Sequence, residues 1–468
     1  MLFSLTMLVP ALIAGATADG TERVFLGAFA ITWLSGLVLW YPVRAEQGEL
    51  RTRDGFLITA LFWLVLGLFG ALPFMLSSLP HLSLTDAIFE SISGLTTTGA
   101  TVISGLDALP ASILYYRQQL QWLGGIGIIV IAVAILPMLG IGGMQMYRAE
   151  TPGPVKESKL TPRITGTAKA LFFIYLVLTV VCAIAYLLAG MSPFDAISHS
   201  FSTVAIGGFS THDASIGYFD SPAIMIICMV FMLLSSLNFA LHYFCWRHRS
   251  ISHYLEDSES RFFLAAVAIT LIVACSALVA YGHYDSTQAW LHGSFQVISI
   301  ATTTGFATTD FSLWPSFIPI MLLLFAFMGG CAGSTAGGMK VIRVLLITKQ
   351  GLREIKQLIH PNAVIPIKLG TRTVPDRVVM AVWSFFSIYV IAFMVGLVLL
   401  LATGLDFISS FSAIAAAQNN LGPGLGEVAV NYGAVNPFAK LVLCAYMLLG
   451  RLEIFTLLVL FSPAFWRR

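Results

Sequence analysis

Apolar and polar residues alternate along this chain in blocks long enough to cross a bilayer. Runs of mostly apolar residues occupy 24–41, 56–76, 117–140, 171–190, 222–241, 262–281, 317–328 with a continuation to 347, 378–402 and 438–462, and a weaker one covers 1–18. About 20 apolar residues span roughly 30 Å of hydrocarbon, so these stretches predict membrane helices. Between them lie shorter, half-polar stretches too brief to span. The first, DAIFESISGLTTTGAT, runs over 86–101, and related stretches follow at 195–210 (DAISHSFSTVAIGGFS), 292–307 (HGSFQVISIATTTGFA) and 409–424 (SSFSAIAAAQNNLGPG). Aligned on Gly99, Gly208, Gly305 and Gly422 they are 109, 97 and 117 residues apart. A period of that size repeated in one chain predicts four similar units about one axis.

The predicted architecture is an all-α integral membrane protein: four pseudo-symmetric helix–pore-helix–helix repeats around a central pore, preceded by a two-helix hairpin. The boundaries read as 1–55 for the hairpin and a basic linker, 56–143 for the first repeat, 144–246 for a cytoplasmic loop and the second, 247–349 for the third, and 350–468 for a basic loop and the fourth. Within these, single helices are expected at 221–246 and 438–462, and exposed loops at 144–169 and 350–376. The run at 1–18 starts at Met1 with no basic head, so it reads as a mature helix rather than a signal peptide.

Composition agrees with lipid as the solvent. The 468 residues are 57% hydrophobic and 10% charged, too little polar surface for a soluble body of this size. The net charge is only +2, but its distribution matters. With 42–55 inside, Arg23, Arg117 and Lys440 fall outside, Lys340 and Arg451 within or near the membrane, and the other basic residues inside, as the positive-inside rule asks. Acids such as Asp86, Glu90, Asp107, Asp195 and Asp213 then give the outer face a negative field that concentrates cations. The six cysteines form no CxxC and the nine histidines no HExxH, so neither a disulfide framework nor a metal knuckle is expected. No facing nucleophile and base suggest an enzyme, and nothing suggests nucleic-acid binding.

Each short stretch should be a re-entrant helix followed by non-helical backbone, which survives at membrane depth only beside protein or a water-filled cavity. Four such segments would offer rings of carbonyl oxygens able to replace the hydration shell of a monovalent cation. Glycine, lacking a Cβ, permits the positive φ that turns a carbonyl toward an axis. The residues expected around the ion are Thr97, Thr98 and Gly99; Ile206, Gly207 and Gly208; Thr303, Thr304 and Gly305; and Asn420, Leu421 and Gly422. Hydroxyls of Thr96, Thr97, Thr98, Thr302, Thr303 and Thr304 would add ligands or hold neighbouring strands. A second unusual stretch, GGCAGSTAGG at 329–338, has poor helix propensity. It reads either as a mobile loop beneath the ion site or as a tight GxxxG-like helix contact. Arg451, inside the apolar run LLGRLEIF, is costly unless it faces a cavity or a partner; Lys340 is expected to snorkel to the interface.

DAIFESISGLTTTGAT, AIGGFS, ATTTGFATTD, GGCAGSTAGGMKVIR, QNNLGPG and GRLEIFT, in that order, resemble the bacterial Trk-type membrane subunit of the Trk/Ktr/HKT potassium-transporter superfamily over nearly the whole chain. The resemblance implies a potassium filter lined by the four glycines and located in the bacterial inner membrane. Serine at the first of them goes with sodium permeation in some plant relatives, so Gly99 implies potassium. It further implies a loop that blocks the pore, built from Gly329, Gly330, Ala332, Gly333, Ser334, Thr335, Ala336, Gly337 and Gly338 with Arg451 as its latch. The implied assembly is a homodimer controlled by a cytosolic TrkA-like ring of the RCK type that binds NAD, ATP or ADP. No organic cofactor on this chain is implied. A proton- or sodium-coupled potassium symporter is the competing expectation, with Glu90 as its best carboxylate. The aspartate opening the first two short stretches, Asp86 and Asp195, is replaced by His292 in the third, and Asp406 stands three residues too early in the fourth.

Overall fold

The computed structural model describes residues 1–45, 52–130, 164–370 and 372–466. The linker at 46–51, the expected cytoplasmic loop at 144–163 and the second half of the run at 117–140 lie outside them. The described chain is mostly helical, with a two-stranded hairpin pairing Lys368–Leu369 with Arg372–Thr373.

Among the described residues, five helices are long and apolar enough to cross a membrane: Glu22–Val43, Asp54–Leu76, Ala168–Leu188, Ser258–Ala280 and Asp376–Leu401. Leu2–Thr17 packs against the first of these as a hairpin. After it, one order recurs four times among the described residues: long helix, short helix, irregular segment, returning helix. The short helices are Leu84–Leu95, Pro193–Ala205, Ser286–Ala301 and Phe407–Asn419, and the returning helices start at Ala111, Pro222, Phe317 and Pro437. Each short helix packs inside its own unit and also on a returning helix from another: the second on that of the first unit, the third on the second's, the fourth on the third's, and the first on the fourth's. The packing therefore closes on itself.

Two returning helices differ from the continuous spans read in the sequence, while that of the third unit breaks at GGCAGSTAGG as expected. Pro222–Ser236 and Phe239–His248 meet at 98°, and Pro437–Arg451 and Ile454–Phe461 at 115°. Phe317–Ala326 stops short, and helix resumes only at Val341. Hydropathy measures how apolar a stretch is and carries no direction, so a span that turns back scores like one that crosses. At the first break Asn238 caps the next helix through Oδ1, bonded by Ala240 N–H at 2.8 Å. At the others Lys340 (φ 76°) and Glu453 (φ 58°), the N-caps of the helices that follow, take positive-φ backbone, which is outside the helical region. The stretch expected as a basic loop at 350–376 is also different: helix Val341–Ile359 carries through its first third, because Leu345, Leu346 and Ile342 anchor that helix in a buried cluster with Val379 and Val382.

Candidate ion site

Each short helix begins with a side-chain cap that fixes its depth. Ser83 and Ser192 accept Asp86 N–H and Asp195 N–H, while Asp285 and Asp406 accept Gln288 N–H and Ser409 N–H. Serine and aspartate both suit this position. The displacement of Asp406 by three residues is thereby explained: it is the cap itself, whereas Asp86 and Asp195 occupy the third helical position. In the third unit the capping aspartate starts a helix one turn longer, and His292 is an interior residue bonded to Thr308 Oγ1 at 3.0 Å.

All four short helices end in the same way. Thr98, Gly207, Thr304 and Leu421 donate N–H to the carbonyls of Ser93, Ser202, Ser299 and Ala416 at 2.9, 2.8, 2.8 and 2.9 Å. The preceding residues, Thr97, Ile206, Thr303 and Asn420, donate to Gly94, Thr203, Ile300 and Ala417. This is the Schellman pairing, and it places Thr97, Ile206, Thr303 and Asn420 at φ 51°, 55°, 62° and 52°. The glycines two residues on have φ 82°, 79°, 86° and 94°. Four different sequences thus adopt one backbone, even where β-branched Ile206 pays a steric cost for it.

The four glycines close a ring. A Cβ placed on Gly99 would overlap the carbonyl oxygen of Gly207; on Gly208, that of Thr304; on Gly305, that of Leu421; and on Gly422, that of Thr98. Every one of them therefore abuts the main-chain oxygen that precedes the next glycine. All four line one cavity of about 370 Å³, whose walls include Asp213, Asp310 and Arg117.

The ring is braced in three ways. Thr96 and Thr98 pair their hydroxyls at 2.8 Å, and Thr302 and Thr304 at 2.7 Å, so these groups hold the turns. The second unit has no such pair; there Gln121 donates Nε2–H to Gly207 O at 2.6 Å and accepts Phe209 N–H at 3.1 Å, spanning Gly208. In the fourth, Asn420 Nδ2 bridges Thr98 Oγ1 at 3.0 Å and Met447 O at 2.9 Å. Outside the ring, buried Arg117 pairs with buried Glu90 at 2.8 Å and donates to Ser210 O, while Glu90 accepts from Thr101 and Val102. The roles of Gln121, and of Arg117 as Glu90's partner, were not read from the sequence. Their signal is the polar run RQQLQ at 117–121 inside an apolar span, an expensive placement that points to interior partners.

The glycine-rich stretch is an irregular, largely buried loop between Ala326 and Val341. It touches the ends of three short helices: Thr335 Oγ1 donates to Val204 O at 3.0 Å, Gly337 N–H to Thr303 Oγ1 at 2.7 Å, and Gly338 N–H to Asn419 O at 3.1 Å. Ala336 and Gly330 pack on each other, Gly329 lies against Gly337, and Gly333 O accepts Phe239 N–H at 3.0 Å. Ser334 Oγ closes a turn on Cys331 O at 2.6 Å. Arg451 is the last residue of its helix rather than an interior one, and its Nη1 donates to Thr335 O at 3.0 Å. Lys340 does not simply extend to an interface; its ammonium turns back onto Ala336 O. Glu453 meets Arg343 at 2.8 Å, on another element from Arg451.

Comparison with known proteins identifies the family. The family model TrkH, described as cation transport protein, matches residues 21–468. A Trk system potassium uptake protein TrkH from Halomonas elongata is 58% identical over 468 residues, covering 100% of this chain and 97% of that protein. Its namesake in Escherichia coli is 57% identical over 470 residues with the same coverage. The crystal structure of the potassium transporter TrkH from Vibrio parahaemolyticus superposes with a TM-score of 0.92 at 55% identity, covering 100% of this chain and 97% of that one. This chain belongs to the TrkH family of membrane cation-transport proteins.

Proposed function

We propose that the chain takes up potassium across the bacterial inner membrane through a filter formed by residues 97–99, 206–208, 303–305 and 420–422. The observation that carries this reading is the closed contact of each glycine with the carbonyl oxygen before the next. Four left-handed turns of equal shape bring main-chain oxygens from four units to one place, and such oxygens substitute for the water around an alkali cation. The partial negative charge at the C-terminal ends of the four short helices favours a cation there and disfavours an anion. Acids around the outer cavity add to the attraction.

The loop at 329–338 is the gate in this reading. It is glycine-rich, lies against the ends of three short helices, and is tied to Arg451 by one hydrogen bond. Moving it away would uncover the inner side of the filter, with Arg451 as the latch. Control belongs to a cytosolic nucleotide-binding ring of the RCK type acting on a homodimer, the assembly expected of the family. Coupling to protons or sodium is disfavoured by Glu90, which is engaged by Arg117, Thr101 and Val102 rather than offered to a passing ion.

The test is ion flux in liposomes holding the purified chain, with and without the nucleotide-binding ring. The proposal expects passive potassium flux that follows the potassium gradient, exceeds sodium flux and responds to the ring. Flux that stops whenever a second ion gradient is removed would overturn it in favour of a coupled carrier.

A further inference from the structure

Glu259 stands outside every role assigned so far. It is 1% exposed, in the first turn of helix Ser258–Ala280. One carboxylate oxygen, Oε1, accepts two main-chain N–H groups: Ala332 at 2.7 Å and Ile342 at 3.1 Å. Ala332 lies in the first half of the glycine-rich loop, and Ile342 in the first turn of the helix into which the loop runs. A first-turn N–H has no acceptor within its own helix, and the side chain of Lys340, the N-cap, does not cap that helix. Glu259 therefore caps one helix from another and grips the loop with the same atom.

Its own helix does not need it as a cap, because Asp257 accepts Ser260 N–H at 2.8 Å. Burying a carboxyl group is expensive unless hydrogen bonds and helix N-termini compensate, and both of its bonds come from the loop and its exit helix. The loop is also held at this end by main-chain bonds, Cys331 N–H to Ser236 O at 2.9 Å and Val341 N–H to Gly330 O at 3.0 Å, and by the side chains of Lys340 on Ala336 O and Arg343 on Met339 O. With both ends drawn to one point, the intervening residues form a compact hairpin whose tip, 335–338, reaches Val204, Thr303 and Asn419.

We propose that Glu259 is the positioning residue of the gate: by tying Ala332 and Ile342 together it holds the loop against the filter ends. This rests on reading the loop as the gate. Cys331, adjacent to Ala332 and fully buried, is a native reporter of the loop, and Cys182 and Cys228, equally buried in the second unit, report on the rest of the fold.

The experiment uses the full chain in liposomes, with N-ethylmaleimide labelling rates resolved by cysteine, potassium flux, and the potassium-to-sodium ratio. Glu259→Gln keeps the shape and a neutral acceptor, Glu259→Ala removes both, and a deletion of 330–336 tests the loop itself. Weakening the one acceptor of two bonds should raise Cys331 labelling and basal potassium flux about tenfold in Glu259→Gln, and further in Glu259→Ala. Labelling at Cys182 and Cys228 and the ion ratio should stay at the wild-type values. Wild-type Cys331 labelling in Glu259→Gln overturns the proposal, as does faster labelling at all three cysteines, which would mean general loosening. Faster Cys331 labelling without added flux also overturns it: the fault lies with Glu259 alone if the deletion raises flux, and with the gate reading if the deletion leaves flux unchanged.

Discussion

Replacing Gly99 by serine places a Cβ where the Gly207 carbonyl oxygen stands. That oxygen has little room to retreat, because Gln121 Nε2 holds it at 2.6 Å and Gly207's own N–H is bonded to Ser202 O at 2.8 Å. The new side chain must also adopt φ near 82°, a left-handed backbone costing an L-residue about 1–2 kcal/mol. Relief of the overlap requires the first and second segments to separate, which shifts oxygens relative to the ion. Each 1.4 kcal/mol by which that shift favours sodium relative to potassium is about a tenfold change in preference, so a tenfold or greater fall in the potassium-to-sodium flux ratio is expected in liposomes. Gly105→Ser is the matched control: its φ is 72°, but nothing lies within 4 Å of its added Cβ, so it carries the backbone strain without the overlap. An unchanged ratio in folded Gly99→Ser, or an equal fall in Gly105→Ser, would refute the reasoning.

Deleting 330–336 should raise basal potassium flux in folded protein; flux at or below wild type would remove the loop from gating. Arg451→Gln removes a charge-assisted bond to Thr335 O, of about 1.5–3 kcal/mol, and should raise basal flux about tenfold with the ion ratio intact, whereas a changed ratio would place Arg451 in the filter instead. Gln121→Leu strips both bonds spanning Gly208 and should lower the potassium-to-sodium ratio, with buried Gly207 O and Phe209 N–H left unpaired at a cost of about 1–3 kcal/mol each; wild-type selectivity in that variant would show that the brace is dispensable. For Asp19, burial works to raise the carboxyl pKa, but bonds from Thr21 and Ser112 outweigh it and the net shift is downward. Its stabilisation is thus present above the ordinary carboxylate pKa of about 3.9 and lost as pH falls through the lower folded value. Thermal unfolding in detergent should separate wild type from Asp19→Asn at pH 7 and merge the two at low pH, and a gap independent of pH would count against this account.

The fourfold pattern was legible because each copy has to end a short helix and turn, and Ser, Thr, Gly and Asn at fixed offsets do that work visibly. Even QNNLGPG, the most divergent copy, keeps Asn420 where left-handed backbone is needed and Gly422 where no Cβ fits. What remained hidden follows from direction and partnership. The breaks at Leu237–Asn238 and Leu452–Glu453 bend a helix by 98° and 115°, yet each pair of helices together is as apolar as a single span. Gln121 and Glu259 are single polar residues whose partners lie 86 and 73 positions away or more, and one sequence offers no means of pairing them. The first-turn aspartates could be aligned only by function, since Asp86 and Asp195 follow a serine cap while Asp285 and Asp406 are caps.

The central claim is that main-chain oxygens from four segments surround one bare cation. Crystals or frozen particles prepared in rubidium or thallium salts test it most directly, through the position of the heavy ion. The account predicts density at the centre of the ring, within coordination distance of main-chain oxygens of residues 97–99, 206–208, 303–305 and 420–422 together. Density held by side-chain carboxylates elsewhere, with the ring bare at saturating ion, would contradict it.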